Sequence, residues 1–427
     1  MKPLNIGIIG LGTVGMGLIK CLINNKNIIK SKSERVISIA AICAKNKNKK
    51  RDIDIGNLKW VQDPFDITDD KEIDLVVELI GGDENPSKSI VEKSLLNKKH
   101  VVTANKALLS KHGHYLALLA EEQQVSLNFE AAVAGGIPII KAIKESLSAN
   151  AISKVYGVIN GTCNYILTQM EKEEKEYIEV FKKAQQLGYV EKDPTLDVGG
   201  IDTAHKISLL TACAFGTRIN FENVVTKGIQ NVSLVDIKNA ESMGYKIKLM
   251  ALSSKSEDGI TQEVEPCLVP KDSIFGKLEG GTNLVMVEGD CSEKTYYVGP
   301  GAGSGPTASA VAADIIDIAQ GRRSTVFGIN ANNLKLSVNK NKDLPSSFYL
   351  RFLLVDKPGT LSQLSAILGK YQISINRMNQ LYHSGKNAPV LIVTHPCSKN
   401  SLNSAIEEIS KLEICINEPV VLKIEEL

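Results

Sequence analysis

LNIGIIGLGTVGMGLIKCL, residues 4–22, decides the fold. Leu4 to Gly10 is a short apolar run that predicts a strand starting almost at once. Gly10-Leu11-Gly12-Thr13-Val14-Gly15 follows without a break, and Val14 to Leu22 continues as a helix. A GxGxxG alone is a weak signal; between a strand and a helix at the start of a βαβ unit it marks dinucleotide binding rather than a merely tight turn. Gly10 and Gly12 let backbone turn and approach a pyrophosphate. Gly15 lets helix pack close on strand, and the helix N-terminus offers N–H donors and positive potential to phosphate.

The alternation continues outward. Strands are predicted at Val36–Cys43, Ile73–Leu79, His100–Thr103 and Val125–Phe129, with helices at Pro86–Leu96 and Tyr115–Gln123. This is the pattern of a parallel, doubly wound, Rossmann-type sheet, whose ligands bind beyond the carboxyl ends of the strands. Asn105 and Lys106 stand just past one such end. Lys106 is either an exposed lysine at a helix start or part of a site. A chain preferring NAD would place an acid after the second strand to hold the ribose 2′-hydroxyl. Here Ala44-Lys45-Asn46-Lys47-Asn48-Lys49-Lys50-Arg51 precedes the first acid, Asp52. The basic loop favours NADP, with NAD as the alternative, unless it is only a solvated surface.

The middle of the chain changes texture. Glu130 to Pro138 (EAAVAGGIP) is a small-residue loop in which carbonyls can converge on a cation or a close-packed cofactor, and a helix follows to Leu147. Ile152–Ile159 reads as a strand, and Asn160-Gly161-Thr162 turns into a helix. Glu171–Glu179 reads as a charged, solvated helical face. Further strands at Lys246–Ser253, Glu263–Val269, Asn283–Gly289 and Thr295–Val298 predict an α+β domain on a separate sheet. Gly299 to Pro306 (GPGAGSGP) precedes a helix from Thr307 to Gln320. That loop presents N–H groups to the cofactor, returns the chain to the first domain, or does both.

Between these segments stands LGYVEKDPTLDVGGIDTAHKISLLT, residues 187–211. Glu191, Asp193, Asp197 and Asp202 lie in or beside a Gly- and Pro-broken loop, and Ile201 to Phe215 reads as an apolar helix. Asp202 and Lys206, four apart, share one helical face. They are either a surface ion pair worth ~0.3–0.5 kcal/mol or the lining of a cleft. The apolar flanks leave little room for a broad wet face.

Composition bounds the rest. A chain of 427 residues allows two or three domains, and 50 basic against 48 acidic residues demand neither nucleic acid nor an anionic membrane as partner. No apolar run reaches the ~20 residues of a spanning helix, and no signal peptide fits the start. Eight scattered cysteines without zinc spacing read as free thiols in a reducing cytoplasm. His112 and His114 read as a solvated loop.

Together these residues resemble homoserine dehydrogenase. The resemblance is carried by GLGTVG from Gly10, NKAL from Asn105, EAAVAGGIPII from Glu130, NGTCNYIL from Asn160, DPTLDVGGIDTAHK from Asp193 and GPGAGSGPTASAV from Gly299, in order over residues 1–325. It implies reversible, nicotinamide-dependent interconversion of L-aspartate 4-semialdehyde and L-homoserine, towards threonine, isoleucine and methionine. A developing alkoxide needs a proton, and by resemblance Lys206 donates it. Glu191 and Asp202 hold the substrate's amino end, and Lys106 lies near substrate and nicotinamide. Thr13, Val14 and Gly303 match cofactor contacts, beside Gly10, Gly12, Gly15, Lys45, Asn105 and Lys106. Glu130, Val133, Gly135 and Ile137 match a monovalent-cation site, sodium in the family, held largely by backbone oxygens. His205 points elsewhere. A homodimer or homotetramer is implied. Two other readings stand beside this one: a related amino-acid dehydrogenase with another substrate, and a non-catalytic amino-acid-sensing protein on a dehydrogenase scaffold. The intact Glu191, Asp202 and Lys206 speak against the latter.

The last segment follows a polar, Pro-bearing linker, Ser337–Ser347. Phe348–Val355, Leu361–Tyr371, Ile373–Gln380, Val390–His395, Ser401–Leu412 and Val420–Ile424 alternate as βαββαβ, a ferredoxin-like order. FLLVDKPGTLSQLSAIL resembles an ACT domain, a small-molecule-sensing module. Threonine is the candidate effector, with Asp356, Gly359, Leu361 and Asn376 as contacts and a second ACT domain alongside; the alternative is a domain that only dimerises. The expected organisation is a cofactor domain over 1–135, completed by 305–335, a substrate and dimerisation domain over 136–304, a linker over 336–347 and the ACT domain over 348–427.

Overall fold

The computed structural model describes residues 2–187, 195–336, 345–380 and 385–426. Strands β1 (Leu4–Ile9), β2 (Ile37–Cys43), β3 (Leu75–Glu78), β4 (His100–Thr103) and β5 (Leu127–Asn128) form a parallel sheet in the order β2-β1-β3-β4-β5. Ile6, Ile8, Leu75, Val77 and Val102 are buried, as expected where crossover helices cover a parallel sheet. The strand order reverses between β1 and β3, and the first glycine turn opens there, at the switch point where such sheets bind ligands. The helix Thr13–Asn24 shares a core with the much later helix Ser304–Ala319 through Leu18, Ile19, Val311 and Ile315, so the chain does return to the first sheet.

Two local expectations are corrected. The helix predicted from Tyr115 starts at Lys106 and runs to Glu122. His112 and His114 therefore lie on a helix rather than in a solvated loop, and His114 Nε2 sits 3.1 Å from the Ala331 carbonyl. The stretch Glu171–Glu179 is not one helical face: the helices Gly161–Glu173 and Tyr177–Gln186 part at Glu174, which has a φ of 51°.

The second sheet runs β11-β10-β6-β8-β9 through β6 (Ile152–Val158), β8 (Tyr245–Ser256), β9 (Gly259–Pro270), β10 (Thr282–Gly289) and β11 (Glu293–Pro300), with the short β7 (Val225–Thr226) beside β9. The helix Ile201–Phe215 lies on it and buries Ala204, Ile207 and Leu210 in the same core as Val155, Leu249 and Val264.

The C-terminal segment has the ferredoxin-like sheet order β15-β12-β14-β13, from β12 (Ser347–Val355), β13 (Ile375–Gln380), β14 (Asn387–Thr394) and β15 (Val420–Ile424). This sheet is continuous with the previous one. β15 pairs in parallel with β9, Lys423 opposite Cys267 and Ile424 opposite Leu268. Tyr349, Leu391, Val393, Leu422 and Ile424 belong to the same core as Ile247, Leu249 and Leu268. Arg351 grips the fully buried Asp236 with two hydrogen bonds, Nε to Oδ1 at 2.6 Å and Nη2 to Oδ2 at 3.1 Å. Among the described residues no helix is long and apolar enough to cross a membrane.

Candidate active site

Asp202, in the first turn of the helix Ile201–Phe215, is the centre of a charged cluster. Lys206 Nζ, one turn on, donates to Asp202 Oδ2 at 2.7 Å and to the Ile159 carbonyl, just past β6, at 2.9 Å. Lys106 Nζ approaches Asp202 Oδ1 at 3.1 Å from the start of its own helix. Asn160 Nδ2 donates to Asp202 Oδ2 at 3.1 Å while its Oδ1 caps the next helix by accepting from the Cys163 amide at 2.8 Å. The side chains of Asp202 and Lys206 are only 11% and 12% exposed, so the surface-pair reading is excluded. Burial pushes the Asp202 carboxyl up, but the Lys206 and Lys106 ammoniums and their hydrogen bonds outweigh it and hold the group well below the usual carboxylate range. The helix gathers two cations around one anion; a substrate ammonium arriving at Asp202 competes with them.

His205 takes no part in this cluster. Its ring packs on Phe221 with centroids 4.3 Å apart, and burial lowers its pKa. Glu191 and Asp193 lie outside the described residues.

The cofactor side is built from the strand ends. Asn105 caps the Lys106 helix, its Oδ1 accepting from the Leu108 amide at 3.1 Å, and its Nδ2 donates to the Gly82 carbonyl at 2.7 Å. Below it, Glu78 Oε1 accepts from the Ile80 and Gly81 amides at 2.8 and 3.2 Å, and Oε2 accepts from Thr103 Oγ1 at 2.6 Å. Thr103 Oγ1 in turn accepts from the Asn105 amide at 2.9 Å. Glu78 and Thr103 were missed from sequence; the signal was an acid closing the apolar run Leu75-Val76-Val77. In the first glycine turn, a Cβ at Gly15 would collide with the Gly10 carbonyl, whereas one at Gly12 would meet nothing within 4 Å. The turn is tight beneath and open above Gly12, where a pyrophosphate approaches the amides of the helix Thr13–Asn24. Gly303 stands at the N-cap of the helix Ser304–Ala319, and Ser304 Oγ donates to the Thr13 carbonyl at 2.9 Å, so the two glycine loops meet. Thr13 is exposed and Val14 half-buried.

Lys45, Lys47 and Lys49 are exposed beyond β2. Their loop is tied by Arg51, whose guanidinium donates to the carbonyls of Asn46, Lys47 and Lys49 at 2.8–3.0 Å and lies 5.3 Å from the Trp60 ring centre. The role of Arg51 was also not anticipated.

Glu130, Val133, Gly135 and Ile137 all fall in one buried loop. The Glu130 carboxylate is committed to the amides of Ile140 and Lys141 at 2.9 and 2.8 Å, which leaves the main-chain oxygens for any cation. Among the described residues no group of three or more His, Cys, Asp or Glu could hold a metal ion.

The four effector candidates do not converge within one chain. Val355, next to Asp356, pairs with Asn387 on β14, whereas Ile375, next to Asn376, pairs with Thr394. That separation along β14 places Asn376 on the order of 20 Å from the turn. Gly359 has a φ of 88° at the start of the helix Thr360–Lys370, and Leu361 packs on the domain's core.

Known proteins were compared with this chain. Residues 138–316 match the family model of homoserine dehydrogenase, residues 10–130 that of the homoserine dehydrogenase NAD-binding domain and residues 348–414 that of the ACT domain. A homoserine dehydrogenase of Neisseria gonorrhoeae is 41% identical over 430 residues, covering 99% of this chain and 98% of its own. The crystal structure of a homoserine dehydrogenase from Thiobacillus denitrificans superposes with a TM-score of 0.95 at 38% identity, over 100% of this chain and 99% of that one. A hyperthermophilic archaeal homoserine dehydrogenase mutant in complex with NADPH is similar at a TM-score of 0.64 and 26% identity, over 76% of this chain and 99% of its own.

Proposed function

The chain belongs to the homoserine dehydrogenase family, and on that premise we propose that it interconverts L-homoserine and L-aspartate 4-semialdehyde with Lys206 as the proton donor and NADP as the preferred cofactor. The observation that carries this reading is the Asp202 cluster: one buried carboxylate holding two lysine ammoniums beyond the ends of β4 and β6. The nicotinamide, when bound, supplies or accepts the hydride. Lys206 gives a proton to the oxygen as the aldehyde is reduced and takes it back as the alcohol is oxidised. Lys106, from the cofactor domain, acts beside it. Asp202 and Glu191 receive the substrate's amino group, Asp202 by exchanging one lysine for it. Asn105 and Lys106, Gly10, Gly12, Thr13, Val14 and Gly15, and Gly303 are the proposed cofactor contacts.

The basic loop supports NADP. Lys45 leads a stretch free of acids, and Arg51 holds that stretch folded. A monovalent cation, sodium by resemblance, would rest on the carbonyls of Glu130, Val133, Gly135 and Ile137. An amino-acid effector, threonine, is placed at the turn 356–361, with Asn376 supplied by a paired second domain. That pairing makes a homodimer or homotetramer the natural assembly. Eight free cysteines favour a reducing cytoplasm.

The test is homoserine oxidation by the purified protein with NADP and with NAD, each with and without threonine. Faster turnover with NADP, suppressed by threonine, is expected. Equal rates with both cofactors would remove the 2′-phosphate reading, and no response to threonine would remove the effector reading. Absence of turnover in protein that binds NADPH would overturn the substrate.

A further inference from the structure

Asn283, the second residue of β10, is fully buried, and neither its Nδ2 nor its Oδ1 has a hydrogen-bond partner. Stranding both ends of a carboxamide in a core is unfavourable, and a leucine of similar size would fill the space without that cost. The placement is informative. Asn283 pairs with Gly299 on β11, and its neighbour Leu284 pairs with Val158 on β6. Just past Val158, the Ile159 carbonyl accepts Lys206 Nζ. On the other side the chain leaves Gly299 for Gly301, and a Cβ at Gly301 would overlap the Asn283 carboxamide. The same peptide is braced from behind. The Gly136 amide donates to the Pro300 carbonyl at 3.1 Å, and a Cβ at Gly135 would come within 3.0 Å of the Ala302 nitrogen. Two residues on, Gly303 begins the helix whose Ser304 hydroxyl holds the Thr13 carbonyl. Asn283 thus stands at the junction between the lysine half of the site and the cofactor half.

We infer that Asn283 is a positioning residue for hydride transfer: its carboxamide engages the Gly301–Ala302 peptide when the cofactor is in place and so fixes Gly303 and Thr13 relative to Lys206. The inference rests on the family's reaction, in which hydride passes between a carbon held near Lys206 and a nicotinamide held by the glycine loops. One free donor and one free acceptor match the two polar groups of a peptide, and the missing side chain at Gly301 lets that peptide come close. Misplacement at this junction leaves binding of either ligand largely intact and lengthens the distance the hydride must cross.

The experiment compares Asn283→Leu with the unaltered protein in NADPH affinity, Michaelis constant for homoserine, single-turnover hydride transfer, and the isotope effect with 4-deuterated NADPH. Expected is an NADPH affinity within about threefold, a hydride step slower by on the order of tenfold to a hundredfold, and an isotope effect on kcat that rises as chemistry becomes limiting. A purely structural role would instead lower the unfolding midpoint and both affinities without moving the isotope effect. A folded variant whose hydride step stays within about twofold of the unaltered rate overturns the inference. Gly301→Ala, which crowds the carboxamide from the loop side, is the second variant should the first not fold. The same slowing is expected there, and an unchanged hydride step overturns the inference equally. Absence of turnover in the unaltered protein overturns the family reaction together with it.

Discussion

At the residue scale, two substitutions separate proton transfer from assembly. Lys206→Ala removes the proposed donor but leaves the glycine turns untouched. Turnover should fall by about 10²–10⁴-fold with NADPH affinity preserved; near-normal turnover would take Lys206 out of the role. Asp202→Asn leaves two ammoniums without their counter-charge, and breaking a buried ion pair costs about 3–5 kcal/mol. Its denaturation midpoint should drop markedly, and an unchanged midpoint would mean the cluster contributes nothing to the fold. The Asp202–Lys206 pair was legible in sequence because an i, i+4 spacing is local. Lys106 and Asn160 were not legible as its partners, since only the packing of three separate elements brings them to one carboxylate. Glu78 was hidden for the same reason: its three partners, Ile80, Gly81 and Thr103, come from two strand ends.

At the element scale, the helix Lys106–Glu122 is instructive. Its first half was read as loop because Gly113 interrupts it between two histidines. The glycine is there for space: a Cβ would lie 2.6 Å from Ile219 and 3.2 Å from Phe327, which pack against that face. A packing requirement looks, in sequence, like a turn. The strands and the catalytic helix, by contrast, carry long apolar runs and were placed within a few residues of where they lie. β8 carries a second lesson, the buried Lys248, whose Nζ donates to Asn164 Oδ1 at 3.0 Å and to the Leu278 carbonyl. Burial, then the neighbouring Lys246, pulls its pKa down to about 8 from 10.5. The unfolded chain therefore binds this proton more tightly, and between pH about 8 and 10.5 stability gains with rising pH. Lys248→Met should remove that rise, so the stability difference between the two proteins changes across the window by up to a few kcal/mol. Denaturant midpoints at pH 7.5, 9 and 10 read it out, and parallel curves would refute it.

At the scale of the whole molecule, the sequence suggested a tail hung on a linker. The pairing of β15 with β9 and the shared core around Tyr349, Leu391 and Ile424 make it an integral part of the fold. Deleting residues 345–427 uncovers one edge of β9 and several buried side chains, each worth about 1.5–3 kcal/mol. The truncated protein should melt several degrees lower and aggregate along the bare edge. An unchanged melting temperature with full turnover would restore the picture of an independent appendage. The continuous sheet also constrains how this enzyme can be rebuilt. A chimaera that takes its last eighty or so residues from a relative inherits half a ladder and half a core. Such hybrids should succeed only when β9, the surface under Tyr349 and Asp236 travel with the transplanted piece.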